Sequence, residues 1–410
     1  MSKELTIGLF GFGCVGTGLY EVLNQSKLLN ASISKIVVKN KEKTRPIAAT
    51  NFHYGKAVIL DDPTINVVVE LIDDADAAYE IVTEALKKGK HVVSANKKMI
   101  AYHLEELINL AKANNVSFLY EASTCASIPI IRNLEEYYNN DFLDGLEGVC
   151  NGTSNYILTK LFGGNQSFDE VLKEAQDVGF AESDPTMDID GFDSKFKLQI
   201  LLKHAFGLST NPAQVLNVGI RHVKEHDIQF AKEKGFMIRL LSSAKKIGDQ
   251  IVACVAPTFV NADHFSYDIN NEFNGVSIQA LFSDAQVFTG KGAGSYPTAS
   301  AVLSDISALL YDYQYEYKRN KESAVQLESD AWVKTYVSSS NLNLLDQLEF
   351  AEIVESFRSE NFAYKVGLLN LKQLSHEFYR NNPDIFIAFY ENTLQLDSPL
   401  VGATAEITTV

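Results

Sequence analysis

The chain has 410 residues, 46% hydrophobic and 21% charged, which is enough for two or three globular domains with a sizeable core. Its formal net charge of -16 and pI near 5.0 argue against nucleic acid or an anionic membrane surface as the main partner, since both would repel it. No run approaches the roughly 18 apolar residues of a membrane span, and the opening "MSKELTIGLFGFG" lacks the basic leader and apolar region of a secretory signal.

In chain order, "LTIGLF" reads as a short strand, "GFGCVG" breaks it, and "TGLYEVLNQSKLL" has helical spacing. "NVVVELI" (66–72) and "HVVSA" (91–95) are continuous apolar strands of the kind buried on both faces of a parallel sheet. Between them "DADAAYEIVTEALKK" is a helix closed by Gly89, and "VSFLYEAS" (116–123) is a further strand. The alternation predicts a doubly wound α/β domain. After about residue 130 the rhythm changes to helices plus hairpins, as in "IRLLSSAKKIGDQIVACVAPTFV", with "KIGDQ" as the turn. A helix is predicted over 298–318, then a polar linker, "RNKESAVQLESD". Three apolar runs, "WVKTYV", "YKVGLLNL" and "IFIAFYEN", separated by helical patterns, predict a small C-terminal α/β appendage. The four cysteines, Cys14, Cys125, Cys150 and Cys254, have no CxxC spacing, so neither zinc nor disulfides are expected and a reducing, cytoplasmic setting is.

"GFGCVG" fits GxGxxG between a strand and a helix, so Gly11, Phe12, Gly13, Cys14, Val15 and Gly16 are candidate dinucleotide-binding residues. The first glycine permits the turn, the second lets the backbone approach a pyrophosphate, and the third lets the helix pack closely, with the helix N-terminus facing the anion. A ligand-free glycine turn is the bland alternative. At the end of the second strand an acid would select NAD, but Lys39, Lys41, Lys43 and Arg45 cluster there with Glu42 as the lone acid, which favours the 2'-phosphate of NADP over an ordinary charged turn.

The stretch "GFAESDPTMDIDGFDSKFK" (179–197) places Glu182, Asp184, Asp188, Asp190 and Asp193 ahead of Lys195 and Lys197. An EF-hand reading fails, because Lys197 stands where the loop needs a bidentate glutamate. A solvated acidic loop is a second reading, although the following "DSKFKLQILLKHAFG" has the period of a packed helix. Asp193 and Lys197 are four apart and share a helix face, either as a salt bridge or as part of a pocket wall.

The segment "AQDVGFAESDPTMDIDGFDSKFK" (175–197) resembles the signature of homoserine dehydrogenases, and "VVSANKKMIA" (92–101), "GVCNGTSNYILTKL" (148–161) and "GKGAGSYPTASAVLSD" (290–305) follow that family's order. The resemblance covers residues 5 to about 320. It implies NAD(P)-dependent interconversion of L-homoserine and L-aspartate 4-semialdehyde. Carried over, Lys197 and Lys97 are the proton-exchanging lysines, since two neighbouring ammonium groups lower each other's proton affinity. Glu182 and Asp193 hold the substrate ammonium, with Gly179, Asn151 and Thr153 bordering it. Ser94, Lys97, Gly292 and Gly294 join the cofactor site. Glu121, Thr124, Ala126 and Ile128 of "YEASTCASIPII" correspond to ligands of a monovalent cation (Na or K). The implied layout is a Rossmann-type domain at 1–130 plus about 296–320, a catalytic and homodimerisation domain of α+β type at 131–295, and a small C-terminal domain at 321–410. The last is compatible with an amino-acid-binding (ACT) module or a degenerate appendage. No aspartate-kinase segment is in view, so a monofunctional enzyme is expected.

The chain also departs from the family pattern. Asp73 and Asp74 replace a glycine pair near the cofactor, Lys291 replaces a proline, and Ala126 and Ser127 replace a glycine pair. Those departures motivate a rival reading, a catalytically weak nucleotide or amino-acid sensor. A saccharopine-type dehydrogenase is a second rival, against which the complete signature argues.

Overall fold

A computed structural model describes residues 4–26, 29–164, 166–321 and 325–396; part of the predicted linker (322–324) and the end of the C-terminal segment (397–410) lie outside them. The chain divides into two compact units. The first is Met1–Leu143 with Phe196–Pro212 and Ala280–Ser323, the second Asp144–Lys195 with Ala213–Gln279 and Ala324–Val410.

In the first unit the elements run β1 (Leu5–Phe10), α1 (Cys14–Gln25), β2 (Ala31–Val37), β3 (Phe52–His53), α2 (Ala57–Leu60), β4 (Val67–Glu70), α3 (Ala75–Lys87), β5 (His91–Ser94), α4 (Lys97–Ala113) and β6 (Phe118–Leu119). The six strands form one sheet in the order β3-β2-β1-β4-β5-β6, with every pairing parallel. All four residues of β4 are buried, which is why that strand reads as an unbroken apolar run rather than an alternating one. The order reverses between β1 and β4, and in open sheets of this kind ligands bind at the carboxyl ends of the strands at that point.

Two predicted elements are shorter than their patterns suggested. Of 116–123 only Phe118–Leu119 pairs as a strand, followed by a 3-10 turn at Glu121–Ser123. The helix predicted over 298–318 is Ser295–Leu309. The chain leaves the helix through Asp312, at φ +56°, with the Tyr313 N–H closing onto the Ala308 carbonyl at 3.2 Å; beyond it the Glu135 carboxylate accepts the backbone N–H groups of Glu316 and Tyr317, each at 3.0 Å, and Tyr315 and Tyr317 are buried beside Tyr120 and His204. Tertiary contacts override local helical preference there.

The second unit is built on a mixed sheet. Its strands lie in the order Phe273–Ala280, Leu143–Val149, Met237–Ile247, Gln250–Val260, Ile385–Tyr390, Trp332–Ser339, Ala363–Asn370 and Phe350–Arg358. The predicted hairpin is present, with Ile247 paired to Gln250 across a turn in which Gly248 takes φ +61°. The C-terminal segment is continuous with this sheet, since Ile385–Tyr390 pairs in parallel with Gln250–Val260. Val252, Cys254, Val333, Val337, Leu369, Ile385 and Ile387 share one core. A fourth C-terminal strand, Phe350–Arg358, was not among the three apolar runs. Its "FAEIVESFR" is mostly exposed at the sheet edge, where charged residues guard against further pairing and blunt the strand signal.

Candidate functional site

In the first unit, the loop after β1 gives each glycine a distinct task. Gly11 has φ +94°, and a Cβ there would lie 2.4 Å from the Leu71 carbonyl oxygen of the loop after β4. At Gly16 a Cβ would lie 2.4 Å from the Gly11 oxygen, so the third glycine brings α1 against the loop. A Cβ on Gly13 would meet nothing within 4 Å; the backbone is open at the one position where a pyrophosphate must approach. Gly13 is the N-cap of α1, and no side chain caps it, so the N-terminus offers its N–H groups to an anion. Phe12 is buried against the rings of Tyr20 and Phe52, Cys14 is exposed and Val15 half-buried. The helix Ser295–Leu309 returns against α1, with Ser295 Oγ donating to the Cys14 carbonyl at 2.8 Å. Gly294, its N-cap, has φ +115°, and Gly292 is buried just before it.

Lys39 is exposed just past β2. The following turn is ordered by Asn40, whose Oδ1 accepts from the N–H groups of Glu42 and Lys43 at 2.8 and 3.2 Å. Arg45 donates to the Asn40 carbonyl at 2.8 Å and lies over the Phe52 ring. Asp74, a departure that argued for the sensor reading, caps α3, accepting from the Ala77 N–H at 3.1 Å.

At the end of β4 a buried network that sequence reasoning missed surrounds Ser94. The Glu70 carboxylate accepts from the Ile72 N–H at 2.7 Å and from Ser94 Oγ at 2.5 Å. Burial pushes its pKa up to about 7, partly offset by those two bonds. Asn96 reaches back to the Ile72 carbonyl at 3.0 Å and caps α4 through the Met99 N–H. Lys97, half-buried, is the first residue of α4. The strand run hid Glu70, whose only signal was a charged residue in an apolar β-strand.

Near the proposed cation ligands, both carboxylate oxygens of Glu121 accept backbone N–H groups, from Ile131 at 2.9 Å and Arg132 at 2.8 Å. The Thr124 hydroxyl donates to the Glu121 carbonyl at 3.2 Å, and the Ile128 carbonyl accepts from Ile130. Ala126 takes φ +46°, a left-handed conformation that a glycine would adopt more easily.

In the second unit the acidic stretch resolves into separate roles. Asn151 is the N-cap of the helix Gly152–Gly163, its Oδ1 accepting from Ser154 N–H at 2.7 Å. Its amide nitrogen donates to Asp188 Oδ1 at 2.7 Å and to Asp193 Oδ2 at 3.0 Å. One side chain thus gathers two carboxylates that ordinary repulsion would separate. Asp190 is gripped by the Arg221 fork, at 2.7 and 3.0 Å, and Asp184 accepts from the Thr186 N–H. Thr153 donates to the Phe180 carbonyl at 2.7 Å, and Gly179 turns the chain with φ +81°. Glu182 is exposed on this loop, where its carbonyl accepts from Gln176. Asp193 and Asn151 are buried; the helix Phe192–Phe206 runs on from Asp193 into the residues of the first unit, where Lys197, also buried, stands four positions later. Arg221 was out of reach of spacing arguments because its partner lies 31 positions away.

Among the described residues no group of three or more His, Cys, Asp or Glu side chains could hold a metal ion, and no helix is long and apolar enough to cross a membrane. Residues 11–121 match the family model described as homoserine dehydrogenase, NAD binding domain, and residues 129–307 that described as homoserine dehydrogenase. The homoserine dehydrogenase of Bacillus subtilis is 34% identical over 354 residues, 82% of each chain. A solved homoserine dehydrogenase of Thiobacillus denitrificans aligns with a TM-score of 0.83 at 27% identity, covering 95% of this chain and 98% of that one. A hyperthermophilic archaeal homoserine dehydrogenase, solved in complex with NADPH, aligns with a TM-score of 0.66 at 25% identity, covering 76% and 99%.

Proposed function

This chain belongs to the homoserine dehydrogenase family, and from that premise we propose which of its groups carry the reaction. It is an oxidoreductase that interconverts L-homoserine and L-aspartate 4-semialdehyde with a nicotinamide cofactor, a step in threonine, methionine and isoleucine biosynthesis. The bound nicotinamide supplies the two-electron chemistry. Gly11 to Gly16, with the uncapped start of α1, hold its pyrophosphate; Ser94, Lys97, Gly292 and Gly294 border the remainder. Lys39, beside a turn rich in cations, favours NADP through its 2'-phosphate.

Asp193, presented by Asn151, binds the α-ammonium together with Glu182, while Gly179 and Thr153 shape the loop. In the oxidation direction Lys197 takes the hydroxyl proton, and in reduction it returns one to the alkoxide. Lys97 shares that proton exchange. The reading rests on one observation above the others: a single helix presents a buried carboxylate and a buried ammonium four residues apart.

The test is the near-ultraviolet absorbance of reduced nicotinamide as protein, L-homoserine and NADP or NAD are mixed at alkaline pH, with Lys197→Ala beside it. Homoserine-dependent reduction that vanishes in a folded variant still able to bind cofactor is expected. Undiminished turnover in that variant would remove Lys197 from the role.

We assign cofactor binding to 1–130 with about 296–320, and substrate binding with a homodimer contact to 131–295, while the described part of 321–410 extends the sheet of the second unit rather than standing apart. Light scattering is expected to give twice the chain mass, and cell fractionation to recover the enzyme from the cytoplasm. A monovalent cation at Glu121, Thr124, Ala126 and Ile128 is held through backbone carbonyls, because the Glu121 carboxylate already accepts two N–H groups. Comparing turnover in sodium, potassium and choline salts tests it.

A further inference from the structure

Within the second unit an open cavity of about 500 Å3 is lined by Lys195, Asn217 and His376, with Leu327, Leu371 and Leu374 among the apolar groups. Lys195 is only 6% exposed. Its ammonium donates to Asn217 Oδ1 at 2.6 Å and lies over the Phe192 ring. Burial lowers its pKa to about 8, and among the described residues no acidic side chain shifts it back. Burying an ammonium without a counter-charge is costly, and Asn217 satisfies one of its three N–H donors.

His376 adds a second donor. Because Asn217 Oδ1 accepts from Lys195, its amide nitrogen is the donor on the other side, to the Asp190 carbonyl at 2.8 Å and to His376 Nδ1 at 3.3 Å. The neutral imidazole then carries its hydrogen on Nε2. That atom is buried and has no hydrogen-bond partner among the described residues. An ammonium and an imidazole, tied together by one amide and flanked by Phe192, thus line a cavity of mixed wall, with Leu327, Leu371 and Leu374 beside Ser329, Lys372 and Glu328, the last already accepting from Gln250 and from the Ser329 and Asp330 N–H groups. The volume is of the size that takes a small organic ligand.

We propose that this cavity binds a small aliphatic carboxylate, its oxygens received by Lys195 and His376 and its apolar body by Leu327, Leu371 and Leu374. The site is separate from the Asn151–Asp193 cluster. Lys195 stands two positions after Asp193, and residues at that spacing do not share a helix face. Lys195 and Asp193 nevertheless lie on the first turn of one helix, so an occupant touches the element that presents the substrate carboxylate.

Isothermal titration of the full chain with sodium isovalerate tests this, with inorganic phosphate and sodium chloride as separate arms. One isovalerate per chain is expected, weakened at least tenfold by Lys195→Met and by His376→Phe. Lys195→Gln, which retains a donor to Asn217, guards against misfolding and is expected to weaken binding while leaving the melting temperature near that of the parent. Asn151→Ala is expected to leave isovalerate binding intact. No saturable isovalerate binding, binding unchanged in all Lys195 and His376 variants, or binding of phosphate alone would each overturn the proposal.

Discussion

Adding one methyl group at Gly13 separates cofactor binding from folding. A Cβ at this position meets nothing within 4 Å, and the residue already has φ -89°, so Gly13→Ala is expected to leave the melting temperature within a degree or two. The same methyl stands where a pyrophosphate must lie against the backbone. Loss of at least tenfold in NADPH affinity is expected, or about 1.4 kcal/mol. Gly11→Ala inverts the pattern. There the left-handed φ of +94° costs about 1–2 kcal/mol for an L-residue, and the Cβ contact of 2.4 Å with a backbone oxygen cannot relax by rotating a side chain. A fall of several degrees is expected, at about 2–4 °C per kcal/mol. The assay pairs thermal unfolding without ligand and fluorescence titration with NADPH. If Gly13→Ala binds NADPH like the parent, or melts as low as Gly11→Ala, the assignment of Gly13 to the pyrophosphate is wrong.

Lys39→Ala is expected to weaken NADPH at least fivefold while leaving NADH unchanged, measured by the same titration; equal losses would place the lysine elsewhere. Asn151→Ala removes the donor shared by Asp188 and Asp193 and a helix cap. It is expected to raise KM for homoserine and to destabilise by about 1–3 kcal/mol, read by kinetics and urea unfolding. Glu70 has a folded pKa raised to about 7 by burial, so between its unfolded value and that point the native state holds more protons than the unfolded chain. Stability therefore falls as pH rises across roughly 4.5 to 7, by up to about 3 kcal/mol. Glu70→Gln is expected to flatten unfolding free energy over this window, and an unchanged slope would discount the burial argument.

The cofactor half of the site was legible because its chemistry is local. A strand, three glycines and a helix start lie within the dozen residues of "LTIGLFGFGCVG"; Gly11 and Gly16 answer to contacts in the same loop or its neighbour, while Gly13 leaves the backbone open. The substrate half was legible only as a list of carboxylates. What separates Asp188 and Asp193 from Asp190 is the partner each finds: the Asn151 amide for the first pair, the Arg221 fork for the other. Those partners come from distant segments, and no periodicity announces them. The same limit applies to the predicted helix at 298–318, where past Leu309 Glu135 captures the N–H groups of Glu316 and Tyr317.

These partners also bear on the family departures. Asp74 replaces a glycine yet spends its carboxylate on the N–H of Ala77, so the charge that threatened the pyrophosphate is used to begin a helix. A carboxylate at a helix N-terminus is favoured by the unsatisfied donors of the first turn. The substitution thus trades backbone freedom in the loop for a cap on α3. The same reasoning makes Ala126, at φ +46°, the departure that carries strain, because a methyl side chain, unlike that of Asp74, has no polar group to bond the backbone and offset a left-handed conformation.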